Sequence, residues 1–252
     1  VLRRITAKTR AIMPVQINGR TCDMAALGSI ADDHGLLLCE DAAQALGSKF
    51  DGQSAGTFGA FGTISFYPAK LLGCFGDGGA IVTNDDTIAE KVRLLRDHGR
   101  NEEGVVVAWG LNSRLDNLHA AVLNLKLKSF HEDIARRRDI AARYQEGLAD
   151  LDELVLPPPP DADPRHFDVY QNYELEADQR SELQEHLAGR GIGTIIQWAG
   201  TPVHQFQELG FTDQLPKTDE FFRRCLMLPM NMGLSNEDLS YVVASVRGFY
   251  GK

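Results

Sequence analysis

Two short apolar runs separated by a helical segment set the first constraint on this chain. Ala11-Ile12-Met13-Pro14-Val15 reads as a buried strand ending near Asn18-Gly19. Residues 23–34 place Met24, Leu27, Ile30 and Ala31 at helical spacing, with Asp23 positioned to cap the start and Gly35 to close the end. Leu36-Leu37-Leu38-Cys39 is the second apolar run, with Glu40-Asp41 at its carboxyl end. Strand, helix and strand in so short a span form a crossover unit, and a crossover pairs its strands in parallel. The expected fold is therefore α/β with a mainly parallel sheet.

The rest of the chain extends that plan. The glycine-rich stretch 47–62 reads as loop and short strand, and Thr63-Ile64-Ser65-Phe66-Tyr67 as a strand cut off by Pro68. A turn at Gly76-Asp77-Gly78-Gly79 precedes the strand Ala80-Ile81-Val82-Thr83 and a helix over 87–98. Helical patterning runs from 117 to 148 with a break near Phe130. Pro157-Pro158-Pro159-Pro160 cannot continue a helix and favours an extended connector. That run places a domain boundary, giving a large domain over 1–156 and a smaller α+β domain over 157–252. Residues 169–175 read as a strand, 180–190 as a helix, 191–196 as the lead into another strand, and Ser235 as the cap of a last helix.

Composition narrows the partners. The 252 residues carry a formal charge of −9, which offers no general attraction for nucleic acid or anionic membranes. The one dense basic run, residues 135–138, is expected on a solvated helix face. Cys22, Cys39, Cys74 and Cys225 contain no CxxC pair, so neither a zinc site nor a disulfide scaffold is expected, and reduced thiols in a cytoplasmic protein are the simplest reading. No uncharged run reaches the roughly 18–20 residues of a membrane span. The chain starts at Val1 without a signal-peptide pattern, and is expected to begin inside a longer protein.

Lys70 is the most informative residue for chemistry. It follows a strand and Pro68, among Phe66, Tyr67, Ala69, Leu71 and Leu72. Taken alone it is either a chain-end charge reaching solvent or a desolvated amine with a lowered pKa, able to act as a nucleophile. Asp41 lies where parallel sheets place their ligands, though Glu40-Asp41 equally suits a helix cap. Gln44 lies three residues on. Ser65 is either a hydroxyl donor to an anion or an ordinary strand serine. Amine, carboxylate, amide and hydroxyl together are what pyridoxal phosphate needs.

Glu40-Asp41-Ala42-Ala43-Gln44-Ala45, Ser65-Phe66-Tyr67-Pro68-Ala69-Lys70, Gly76-Asp77-Gly78-Gly79-Ala80, His98-Gly99, Gly110-Leu111-Asn112-Ser113-Arg114-Leu115-Asp116 and Ala120-Ala121 follow in this order. In that order they resemble the pyridoxal-phosphate-dependent sugar aminotransferases of the DegT/StrS type, over essentially the whole chain. The resemblance implies a fold-type I large domain. It implies Lys70 as the Schiff-base lysine and proton carrier, Asp41 as partner of the pyridine nitrogen, and Gln44 as the ring-hydroxyl contact. Ser65 becomes a phosphate ligand, and Asn112 a residue sent across a homodimer interface to the neighbour's cofactor phosphate. Gly78 and Gly79 are implied to be structural.

The implied reaction moves an amino group, with glutamate the expected donor, to a keto group of a nucleotide-activated deoxysugar. The setting is surface polysaccharide or glycosylated natural product synthesis. The family's usual His-Tyr pair reads Gln197-Trp198 here, which leaves His204 as the substrate-contact candidate, or else a structural histidine. The family's usual strand ending in Val-His reads Val15-Gln16-Ile17-Asn18. Its N-terminal segment, with a Gly-Thr phosphate loop and a stacking aromatic, is not found in these 252 residues. This stretch alone is therefore not expected to be a competent enzyme. Three alternatives stay open: a sugar-modifying enzyme on the same cofactor, which in some relatives replaces the lysine by histidine; a non-catalytic or regulatory binding protein on the same fold; and a plain α/β binding domain with a surface lysine.

Overall fold

The computed structural model describes residues 1–252, which divide into two compact units. The first comprises Val1–Ala135 with Asp163–Gln171, the second Arg136–Ala162 with Asn172–Lys252.

In the first unit, β1 (Ala11–Ile12), α1 (Met24–Asp33) and β2 (Leu37–Asp41) form the anticipated crossover, with β1 and β2 parallel. Asp23 caps α1 by accepting the Ala26 N–H at 3.0 Å. A hairpin of β3 (Lys49–Phe50) and β4 (Gln53–Ser54) follows, then β5 (Phe61–Ser65), β6 (Gly79–Val82) and α2 (Asp86–Arg96). The main sheet runs β1-β2-β5-β6, with β2 and β5 parallel and β6 returning antiparallel. Ala42, Ala45, Ala55 and Ile64 form one core cluster, and Leu72, Cys74 and Leu123 another. α3 (Asn117–Lys126) ends before α4 (Phe130–Leu148), so the helical stretch breaks where the sequence indicated.

The second unit contains β7 (Leu154–Val155), β9 (Tyr173–Ala177), α5 (Arg180–Gly189), α6 (Pro216–Arg224), β10 (Cys225–Leu228) and α7 (Asn236–Phe249); the short β8 (His166–Phe167) belongs to the first unit, paired with β3. Its sheet is antiparallel in the order β10-β9-β7. Leu175, Leu183, Leu187, Leu226, Leu239 and Val246 are buried in its core. Ser235 and Asp238 close the capping box at the start of α7.

Four local expectations are corrected. The run 11–15 is not buried within these 252 residues: β1 pairs with β2 alone, and Met13 and Val15 are exposed. Pro14 interrupts the ladder, because it has no N–H to offer, and pairing resumes at the Val15–Asp41 bridge. The strand expected over 169–175 begins only at Tyr173, since Tyr170 takes a left-handed conformation (φ 49°) that no strand continues through. Of residues 191–196, Ile195 alone pairs, bridging to Met227. The basic run is not a solvated face. Arg137 is buried, the Arg136 guanidinium donates to the Leu234 carbonyl at 2.6 Å, and Arg138 pairs with Asp161 at 2.5 Å. Long arginine stems cover apolar surface when their heads find acceptors.

Candidate functional site

The carboxyl ends of β2 and β5 lie side by side, with Asp41 in register with Thr63. That is the edge where parallel sheets collect ligands, because the chain leaves every such strand there. Strand alternation sends Glu40 and Asp41 to opposite faces. Glu40 is fully buried and its carboxylate accepts four bonds: from Gln16 Nε2 and the Gly56 N–H at 2.8 Å each, and from the Phe58 and Gly59 N–H groups at 2.6 and 3.4 Å. It anchors the loop over 56–59. The charge can be buried because every lone-pair direction meets a donor. The paired-cap reading thus fails for Glu40.

Asp41 is partly buried. Its Oδ1 accepts the Ala43 N–H at 3.0 Å and the Thr63 hydroxyl at 3.3 Å. Both bonds orient the carboxylate at the end of β2. Beyond β5 the chain turns tightly: the Lys70 N–H donates to the Tyr67 carbonyl at 2.8 Å. Gly73 permits the turn, since a Cβ there would lie 2.5 Å from the Pro68 carbonyl oxygen. Lys70 is partly buried and close enough to Asp41 to feel its charge. Desolvation holds its amine below the ordinary lysine pKa, against the opposing pull of the Asp41 carboxylate.

Ser65 ends β5, and its Oγ accepts the Tyr67 N–H at 3.3 Å, which leaves the hydroxyl hydrogen for another acceptor. Gln44 Oε1 accepts the Asn18 N–H at 2.7 Å, which leaves Nε2 as its donor group. Asp41, Gln44, Ser65 and Lys70 thus belong to one unit, around the ends of two neighbouring strands. Asn112 stands apart. It is exposed, its backbone bridges Asp97, and its Oδ1 accepts from Arg114 Nε at 3.2 Å. His204 lies in the second unit, with Nε2 2.8 Å from Asp219 Oδ1 and Nδ1 buried without a partner. The hydrogen bonds from Gln205 and from His204 hold the Asp219 carboxyl below its ordinary pKa.

Sequence reasoning assigned no site role to three residues near this site: Gln16, Thr63 and Gln171. Gln16 is fully buried, holding Glu40 through Nε2 and the Cys22 N–H through Oε1 at 2.6 Å. A polar residue next to an apolar run was the available signal. Gln171 gave none, because its partners lie a hundred residues earlier.

The comparisons with known proteins bear on the family and the fold. The model of the DegT/DnrJ/EryC1/StrS aminotransferase family matches residues 1–247. A pleiotropic regulatory protein of Geobacillus stearothermophilus is 40% identical over 250 residues, covering 98% of this chain and 67% of the relative. A dTDP-3-amino-3,4,6-trideoxy-alpha-D-glucose transaminase of Streptomyces venezuelae is 40% identical over 252 residues, covering 98% and 65%. The crystal structure of S. venezuelae DesV in complex with a ketimine intermediate superposes with a TM-score of 0.92 at 39% identity, covering 98% of this chain and 67% of that one. The chain spans about two thirds of the length of these relatives. Its fold is that of the fold-type I sugar aminotransferases. The chain belongs to the DegT/DnrJ/EryC1/StrS aminotransferase family.

Proposed function

We propose that the intact protein is a pyridoxal-phosphate-dependent aminotransferase that moves an amino group, from glutamate, to a keto group of a nucleotide-activated deoxysugar. One observation carries the reading: a partly buried lysine with a lowered pKa next to a carboxylate at the end of a parallel strand.

The residues present fit the cofactor by their chemistry. Asp41 is a fixed acceptor for a protonated pyridine nitrogen. Gln44 Nε2 is a donor for the ring oxygen, and the Ser65 hydroxyl a donor for phosphate. When bound, pyridoxal phosphate supplies an aldehyde for amines and a ring that withdraws electrons from the bond being broken. Lys70 supplies the amine at Nζ, which takes up a proton and hands it back. Desolvation aids both roles by disfavouring the charged form. The Thr63 hydroxyl and the Ala43 N–H hold the Asp41 carboxylate in the orientation that would face the ring.

Asn112, exposed on its loop, is proposed to reach the cofactor phosphate of a second copy, making the active unit a homodimer. His204 is proposed as a substrate contact. The biosynthetic setting is nucleotide-sugar chemistry in the cytoplasm, for polysaccharide or glycosylated natural products.

The test is borohydride reduction after incubation with pyridoxal phosphate, followed by peptide mapping. A pyridoxyl adduct on Lys70 is the expected result, and its absence overturns the reading. Capture also carries a pH signature. Because the Lys70 pKa is lowered, capture rises with pH and levels off below the range of a free lysine. Asp41→Asn removes the charge that raises this pKa, so the midpoint moves lower still. A midpoint unmoved or raised in that variant would show that Asp41 does not face Lys70.

The name of the Geobacillus relative favours a second reading, a regulatory protein on this fold. Cofactor capture on Lys70 without amino transfer to any keto-sugar nucleotide would select it.

A further inference from the structure

Lys70 lies in a turn, not in a strand or helix, so no ladder of backbone bonds fixes its direction. One side chain from a distant segment does that instead. Gln171, buried to 7% exposure, donates from Nε2 to the Ala69 carbonyl at 2.9 Å and accepts the Leu71 N–H on Oε1 at 2.8 Å. These two groups belong to the peptides immediately before and after Lys70. A carboxamide carries donor and acceptor in one plane, so it can grip both peptides at once; a carboxylate or an apolar side chain cannot.

The segment bearing Gln171 is itself held. Val169 is fully buried and donates its N–H to the Gly19 carbonyl at 2.9 Å. Arg20 pairs with Asp168 at 2.5 Å. Tyr170 takes its left-handed turn just before Gln171. Gly19 (φ 88°) lets the backbones meet, since a Cβ there would stand 2.7 Å from the Gln171 nitrogen. The same short turn, Ile17–Gly19, presents the Asn18 N–H to Gln44. Gln44 and the Lys70 turn are therefore tied to one strut.

We infer that Gln171 is a positioning residue for Lys70: its carboxamide holds the two peptide groups that flank the lysine and so sets where Nζ stands. The inference rests on the proposed role of Lys70. Its action is indirect, through the backbone on either side of the reacting amine.

The test compares the unaltered protein with Gln171→Met, which keeps the length and loses both bonds. Amide exchange of Leu71 and the pH midpoint of Lys70 acylation by acetic anhydride are read without cofactor. Exchange at Leu71 is expected to be about tenfold faster or more in the variant. The acylation midpoint is expected to rise toward that of a free lysine as the released turn exposes the amine to water. With cofactor, kcat falls by about tenfold or more while KM for the amino donor stays within about threefold, as for a displaced reacting group. If Gln171→Met does not fold, Gln171→Glu keeps the Leu71 acceptor and loses the Ala69 donor, and intermediate shifts are expected. Unchanged exchange overturns the inference. So does faster exchange with the acylation midpoint and kcat unmoved. If unaltered protein forms no adduct on Lys70, the functional reading fails instead, while exchange and acylation still decide the clamp.

Discussion

The two units are built on opposite terms. In the second, β10 is buried at every position and β9 at four of five, and Leu183, Leu187, Leu239 and Val246 from α5 and α7 are buried with them. In the first, β1 and β6 have no fully buried residue, and Met13, Val15, Leu37 and Ile81 are exposed. Residues 104–114 are exposed throughout, with Trp109 at 98%. Yet the first unit carries the lysine, carboxylate, amide and hydroxyl. Beside its two apolar clusters, polar groups with several bonds each, such as Glu40, Gln16 and Gln171, tie its segments together. A closed core provides stability, whereas the proposed reactive edge needs groups held in place but still accessible.

This comparison can be broken by substitution. Lys70→Ala should lower amino transfer by about a thousandfold or more while leaving stability near that of the unaltered protein, because it removes a nucleophile and proton carrier from a partly exposed site. Retained turnover would sink the assignment of chemistry to the first unit. Leu226→Ala, in fully buried β10, should cost about 2–5 kcal/mol in denaturant unfolding through lost burial and a cavity. Gly19→Ala should cost about 1–3 kcal/mol, since it puts a Cβ into backbone at positive φ, and it should also weaken cofactor capture. A stability loss with capture unchanged would separate Gly19 from the site. Ile81→Ala, half exposed on β6, should cost only about 0.5 kcal/mol. If Ile81→Ala matched Leu226→Ala, the contrast in burial would not describe the contrast in stability.

Much of the architecture was legible in the chain. Asp23, the spacing of Met24, Leu27 and Ile30, and the run into Cys39 are local signals, and local signals specify a helix, its cap and a parallel partner strand. The break near Phe130 and the cap at Ser235 were read the same way. Residues 11–15 misled because an apolar run tells of burial on average, not of how many neighbours a strand has within these 252 residues. The basic run misled because charge pattern does not reveal whether Leu234 or Asp161 is near enough to accept.

For the site, the order of short motifs around Asp41, Ser65 and Lys70 carried the proposed chemistry, since catalysis needs particular side chains and those are written in the residues themselves. Only the tertiary structure decided how these groups are held. Glu40 turned out to be a buried anchor, not half of a cap, because four donors converge on it from two separate segments. Gln171 reached the lysine turn because Gly19 let two backbones come together. Residue type and local spacing are properties of the chain. Convergence of donors and acceptors far apart in sequence exists only once the chain has folded.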